Sequence, residues 1–247
     1  MITALRTLFR ELKWHKNEYF IFLVSLIIPG TIGILSLHIF LNIAENLQHH
    51  ELVQFDNMIF EFIHNLRSPS VTAAVIFITD LGDLTAYCIM MPAIAVLLYY
   101  RGHHRWKLSL QALIVLASAS LLNVIIKEII SRPRPLEDMR LVVAHSYSFP
   151  SGHSMSAIAF YGFAIYLSYK YIPNKFIKVL LIVVQALLIL SIGLSRVYLG
   201  VHYPTDVVAG FIGGLFWLIL CIAVFNFVNL YRERLARKRR LYSDSNH

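Results

Sequence analysis

The sequence predicts an all-α membrane protein in which six transmembrane helices form one bundle. Its 247 residues are 57% hydrophobic and only 15% charged, with a mean hydropathy of +0.63. A soluble domain carries about 25% charged residues, so this chain lacks the polar surface needed to sit in water. Six apolar stretches reach or approach the roughly 20 residues that a helical crossing needs. Both cysteines, Cys88 and Cys221, fall inside such stretches, which supports neither a disulfide framework nor a Cys-based metal site.

The elements follow in chain order. Residues 1–18 read as a cytoplasmic basic tail. The first apolar run, Tyr19 to Ala44, is too long for a signal-peptide core and has no small-residue cleavage site behind it, so it reads as a start-transfer anchor. Between Glu45 and Ser70, Leu52, Phe55, Ile59, Phe62, Ile63 and Leu66 recur at helical intervals among polar residues, the pattern of an amphipathic helix at a membrane surface. The second span lies within Val71 to Tyr100, where Asp80, Gly82 and Asp83 interrupt it. Val71 to Thr79 is then either an outer extension of that span or a short helix packed on it.

Leu108 to Ile126, His153 to Tyr171, Phe176 to Leu194 and Val207 to Leu230 complete the six. The spans thus occupy a single domain over residues 19–230, and residues 231–247 form a second basic tail. Of the 22 Lys and Arg residues, 16 fall in the two tails and in the loops at Arg101 to Lys107 and Lys170 to Lys178. By the positive-inside rule that face, with both termini, is cytoplasmic, in a multi-pass protein of the cell membrane. The net charge of +8 is then mostly topology and attraction to anionic lipid, which makes a nucleic-acid partner an inferior account.

The remaining basic residues cluster outside. Lys127, Arg132, Arg134, His153, Arg196, His202 and Asp206 all fall at the outer ends of the last four spans, where ionisable groups are costly without a partner or a task. Three patterns organise them. In Lys127 to Pro135 the helix gives out ahead of two prolines, so Lys127 rides the last turns and Arg134 an extended segment. Ser148 to His153 opens the fourth span, with Ser151 as N-cap and Gly152 admitting an anion to free helix-start amides. Ser195 to Asp206 bridges the last two spans, and Asp206 falls four residues after His202, within reach of its imidazole.

The pattern Lys-x6-Arg-Pro, Pro-Ser-Gly-His, Ser-Arg-x5-His-x3-Asp resembles the type 2 phosphatidic acid phosphatase superfamily, which also holds bacterial acid phosphatases and vanadium haloperoxidases. Lys127, Arg134, Pro135, Pro150, Ser151, Gly152, His153, Ser195, Arg196, His202 and Asp206 fill every signature position. The resemblance implies a PAP2/haloperoxidase-like core and a phosphatase that uses no metal and no cofactor. It implies His202 as nucleophile, forming a phosphohistidine, with Asp206 on its other nitrogen and His153 as general acid and then base. Lys127, Arg134, Arg196 and the amides at Ser151 and Gly152 would hold the phosphoryl oxygens. Arg132 and His145 stand as secondary phosphate or headgroup contacts.

Several pairs read more plainly. His49 and His50, like His103 and His104, are neighbours that point apart on a helix and lack carboxylate company, so they mark interfaces and not a metal site. Asp80 and Asp83 read as pairing locally or facing the loop. The expected activity is hydrolysis of a lipid phosphomonoester or diphosphate at the outer leaflet, with lipid as the partner and the oligomeric state open. Outward orientation favours undecaprenyl diphosphate; phosphatidylglycerophosphate or phosphatidic acid is the alternative, and a non-catalytic lipid-phosphate binder or transporter is the rival class. The six spans speak against a haloperoxidase.

Overall fold

The computed structural model describes residues 27–47, 52–100 and 106–244. The basic residues Arg6, Arg10, Lys13, Lys16, Arg101 and Arg105 and both adjacent histidine pairs fall outside them. Among the described residues every regular element is helical.

Helix α1 is described over Ile27–Leu47. Next come α2 (Val53–His64), α3 (Pro69–Asp80), α4 (Leu84–Tyr100) and α5 (Trp106–Ile130). After an irregular outer segment, α6 (Gly152–Ala157) continues through a π turn (Ile158–Gly162) into α7 (Phe163–Tyr171), followed by α8 (Lys175–Tyr198) and α9 (Pro204–Asp244). Local chemistry sets these boundaries. The Ser68 hydroxyl accepts from the Val71 amide with Pro69 behind it, Asn174 caps α8 through the Ile177 amide, and Ser151 caps α6. At the start of α9, Pro204 fills the first turn and the Asp206 carboxylate reaches back to the Tyr203 amide at 2.9 Å, a capping-box arrangement. Ser131, at φ 50°, turns the chain out of α5 before Pro133.

Among the described residues four helices are long and apolar enough to cross a membrane: Ile27–Leu47, Lys107–Ile130, Lys175–Tyr198 and Pro204–Asn229. The second expected span is divided. Helices α3 and α4 meet at a 56° bend across Leu81, Gly82 and Asp83, and they make a fifth crossing if the pair is taken as one. Thus the stretch before Asp80 is a helix of its own, packed on α8. The region expected to be the fourth span is helical from Gly152 to Tyr171 but is split by the π turn into pieces each too short to cross alone.

That split helix is the centre of the molecule, enclosed by α5, α8 and α9. Ala157, Ala159, Phe160 and Phe163 are buried there, with Tyr87, Leu116 and Ile192 on one side and Val115, Ala119 and Leu218 on the other. Helix α9 comes closest. A Cβ on Gly210 would lie 2.7 Å from the Ser151 carbonyl oxygen and one on Gly214 would lie 2.9 Å from that of Met155, so the two main chains touch directly. Outward-facing Leu113, Val184 and Leu187 are exposed, a surface suited to acyl chains and not to water. Helix α2 shows Phe55, Met58 and Phe62 outward in the same way, yet buries Asp56 and Phe60 against α8 and α9.

Candidate active site

The ends of α5, α6, α8 and α9 bring the three sequence patterns to one place. Asp206 is fully buried in the first turn of α9. One of its oxygens, Oδ2, accepts from the Ser148 hydroxyl and from the Tyr203 amide, and stands 3.5 Å from His202 Nδ1. The other, Oδ1, accepts from Arg132 at 2.6 Å. On the far side of the imidazole, His202 Nε2 lies 3.2 Å from Arg134 Nη1. A guanidinium can only donate, so Nε2 carries its lone pair toward Arg134 and the ring proton sits on Nδ1, toward Asp206. Burial outweighs Asp206 and pushes the His202 pKa down to about 3, which keeps the ring neutral at physiological pH.

The cations are pinned by the loops they join. Lys127 Nζ donates to the Tyr147 carbonyl and, at 3.3 Å, to that of Ser148, which leaves one of its three protons unclaimed. Arg134 donates to the carbonyls of Ser146 and Val201, each at 2.6 Å. Arg196, only 7% exposed, donates from Nη1 to Thr79 Oγ1 at 2.7 Å, while its buried Nε has no partner among the described residues. At the start of α6, His153 Nε2 stands 2.7 Å from Asp83 Oδ1, a pair that becomes ionic when the imidazole is protonated. Arg196 and Arg134 also face this imidazole.

Two expectations change in detail. The Ser151 amide is not open to an anion, because it donates to the Asp206 carbonyl at 2.9 Å, and the Ser151 hydroxyl caps Ser154. The amides of Gly152 and His153 are the ones with no backbone partner among the described residues. Arg132 is likewise not a spare phosphate contact. It bridges Asp206 and Asp56 at 2.6 Å each and lies over the Tyr203 ring, so its charge is spent inside the protein. His145 is exposed on the loop beside Ser146.

Asp56, Ser148 and Thr205 escape the sequence reading, and Asp83, read as pairing locally or facing the loop, lies instead beside His153. Asp56 is 1% exposed and accepts from the Thr205 amide and hydroxyl as well as from Arg132, which ties α2 to the root of α9. Its one trace in the sequence is a carboxylate one turn before Phe60 on a helix whose other face is apolar. Asp83 stands out only as a charge interrupting a span. Among the described residues no group of three His, Cys, Asp or Glu side chains is placed to hold a metal ion.

The chain matches the PAP2 superfamily over residues 108–230. It is 34% identical over 201 residues to phosphatidylglycerophosphatase B of Bacillus subtilis (strain 168), covering 79% of this chain and 95% of that one. Among solved structures it resembles a transmembrane PAP2 type phosphatidylglycerolphosphate phosphatase from Bacillus subtilis, with a TM-score of 0.72, 31% identity and coverage of 79% of this chain and 96% of that one. Aquifex aeolicus LpxE shares the fold at a TM-score of 0.53 and 23% identity, over 67% of this chain and 93% of that one. Since the family match spans the motifs gathered around His202 and the likeness to the Bacillus enzyme runs through nearly all of that protein, the chain belongs to the PAP2 superfamily, as a membrane lipid phosphatase that hydrolyses phosphoric esters.

Proposed function

We propose that this protein removes the terminal phosphate from a phosphatidylglycerophosphate-type lipid through a phosphohistidine on His202. The observation that carries the chemistry is the two-sided placement of His202, with Nδ1 toward Asp206 and the Nε2 lone pair toward Arg134. A neutral imidazole oriented by a carboxylate and aimed into a cationic pocket is an activated nucleophile. Nε2 attacks phosphorus, the bond to the glycerol oxygen breaks, and His153 gives that oxygen its proton. Water then attacks phosphorus with His153 as base, the P–N bond breaks, and inorganic phosphate leaves. Lys127, Arg134 and Arg196, with the Gly152 and His153 amides, neutralise the phosphoryl oxygens, so that no metal is required. Ser151 serves this reading as the cap that holds α6.

Identity to a phosphatidylglycerophosphatase over 95% of its length favours the phosphomonoester lipid. Outward orientation, the ground for undecaprenyl diphosphate, is shared by both substrates and does not separate them. We infer six crossings, taking the bent pair as one and the π-interrupted helix as another, within a phosphatase domain over residues 19–230 flanked by cytoplasmic tails. The site then faces outward, and lipid enters sideways from the bilayer. The test is phosphate release from phosphatidylglycerophosphate, undecaprenyl diphosphate and phosphatidic acid by the purified protein in EDTA. The highest kcat/KM should fall on phosphatidylglycerophosphate; a tenfold preference for the diphosphate would reverse the assignment. Turnover that needs added magnesium would overturn the metal-free mechanism.

A further inference from the structure

The bend between α3 and α4 forms a wall of the site that neither the three motifs nor the family match over residues 108–230 includes. Two of its side chains reach the cluster. Thr79 accepts from Arg196 at 2.7 Å, and Asp83 places Oδ1 2.7 Å from His153 Nε2. Between them, Gly82 brings main chain against the same imidazole: a Cβ there would lie 3.1 Å from His153 Cδ2 and 2.7 Å from Ile192 Cγ2. Any larger residue at this position would press on Ile192 and on the His153 ring.

We propose that Asp83 is a positioning residue for His153, holding the imidazole from the bend and balancing its charge while the ring exchanges a proton with the substrate. The proposal rests on the reading of His153 as general acid and base. The 2.7 Å separation supports it, because a carboxylate at that distance both orients the ring and offsets a proton on it. His153 is otherwise faced by two cations, Arg196 from α8 and Arg134 from the outer loop. Like charges oppose a protonated ring, and Asp83 is the only carboxylate among the described residues within ion-pair distance of it. In the first step the proton passes from His153 to the departing glycerol oxygen, and in the second it returns from water. Asp83 remains a carboxylate throughout.

The Asp83 side chain is 48% exposed, so Asp83→Asn removes the charge without emptying a core. The full-length protein in detergent is assayed with dioctanoyl phosphatidic acid, whose alkoxide must be protonated to leave, and with p-nitrophenyl phosphate, whose nitrophenolate leaves unaided. Asp83→Asn should lower kcat on the lipid by roughly 10- to 100-fold, part of what general acid catalysis supplies. It should also move the alkaline limb of the pH profile down by about one unit. The first-turnover burst of nitrophenolate should hold within about threefold, and Asp83→Glu should recover part of the lipid rate. Equal losses on both substrates with an unmoved alkaline limb, or no loss at all, would overturn the proposal. His153→Ala separates the two levels: full lipid turnover in that variant refutes the reading of His153 itself, whereas a dead His153→Ala beside an unaltered Asp83→Asn refutes only the role of Asp83.

Discussion

Asp56→Asn tests whether α2 is fastened through Arg132 to the buried Asp206 carboxylate by one buried charge. Asp56 Oδ1 accepts from the Thr205 amide at 2.9 Å, and Oδ2 accepts from the Thr205 hydroxyl and from Arg132 at 2.6 Å each. Asparagine keeps the volume but has one acceptor face. If its oxygen turns to Arg132, its NH2 meets the Thr205 amide, and a buried donor is orphaned at about 1–3 kcal/mol. Breaking a buried ion pair outright costs about 3–5 kcal/mol, but Arg132 keeps Asp206 at 2.6 Å, which puts the expected loss near the lower end, about 3 kcal/mol. At about 2–4 °C per kcal/mol for a chain of this size, the thermal midpoint should fall by about 6–12 °C. Light-scattering or thiol-reactive melting of the detergent-solubilised variant measures it. Well below that midpoint, kcat should also fall, because Arg132 no longer has two carboxylates fixing its place against Asp206. A midpoint within about 2 °C of the parent, with kcat unchanged, would refute the latch.

Further outcomes bear on the rest of the site. His202→Ala should lower kcat by more than about 10⁴-fold and Asp206→Asn by about 10²- to 10⁴-fold, with the double variant no worse than His202→Ala because the two act as a unit; multiplicative losses in steady-state turnover would contradict that. The His202 pKa of about 3 lies below its unfolded value of 6.5, so between them the unfolded chain binds the extra proton. Stability should therefore rise with pH through that window and level off above it, and His202→Asn should flatten the rise in midpoints measured from pH 4 to 7. Gly200 adopts φ +74°, and a Cβ there would lie 2.2 Å from the Met139 carbonyl oxygen and 2.7 Å from Arg67 Nη2. Gly200→Ala should thus cost at least about 1–2 kcal/mol and misplace His202 two residues on, visible as a lower midpoint and a lower kcat together.

What the sequence disclosed follows from the range over which each signal acts. The three motifs are contiguous runs in which proline, glycine and capping residues end or begin helices, so local rules place Lys127, Arg134, Ser151, His202 and Asp206 at one depth. The apolar runs of α1, α5, α8 and α9 are read for the same reason. Contacts between distant segments leave no such trace. Asp56 meets Thr205 across 149 positions, and no periodicity in α2 announces that one of its polar residues faces inward. Arg132 and Arg134 both precede proline, and only the folded chain shows that one turns to Asp56 and Asp206 and the other to His202. The Ser151 amide looks open from its cap position, yet it is claimed by a carbonyl from α9. The second span reads ambiguously because Asp80, Gly82 and Asp83 interrupt its hydropathy, and only the folded chain shows that Asp83 lies beside His153.

The contact of α9 with α6 through Gly210 and Gly214 has a consequence for how such an enzyme can diversify. His153 rides on one of these helices, while Asp206, which fixes His202, rides on the other, and main chain meets main chain with no side chain as a spacer. The gap between the proposed proton donor and the proposed nucleophile is therefore not adjustable by exchanging core residues of different size. Exposed outer segments such as the loop around His145 are free of that constraint and can differ while His153 and His202 keep their separation.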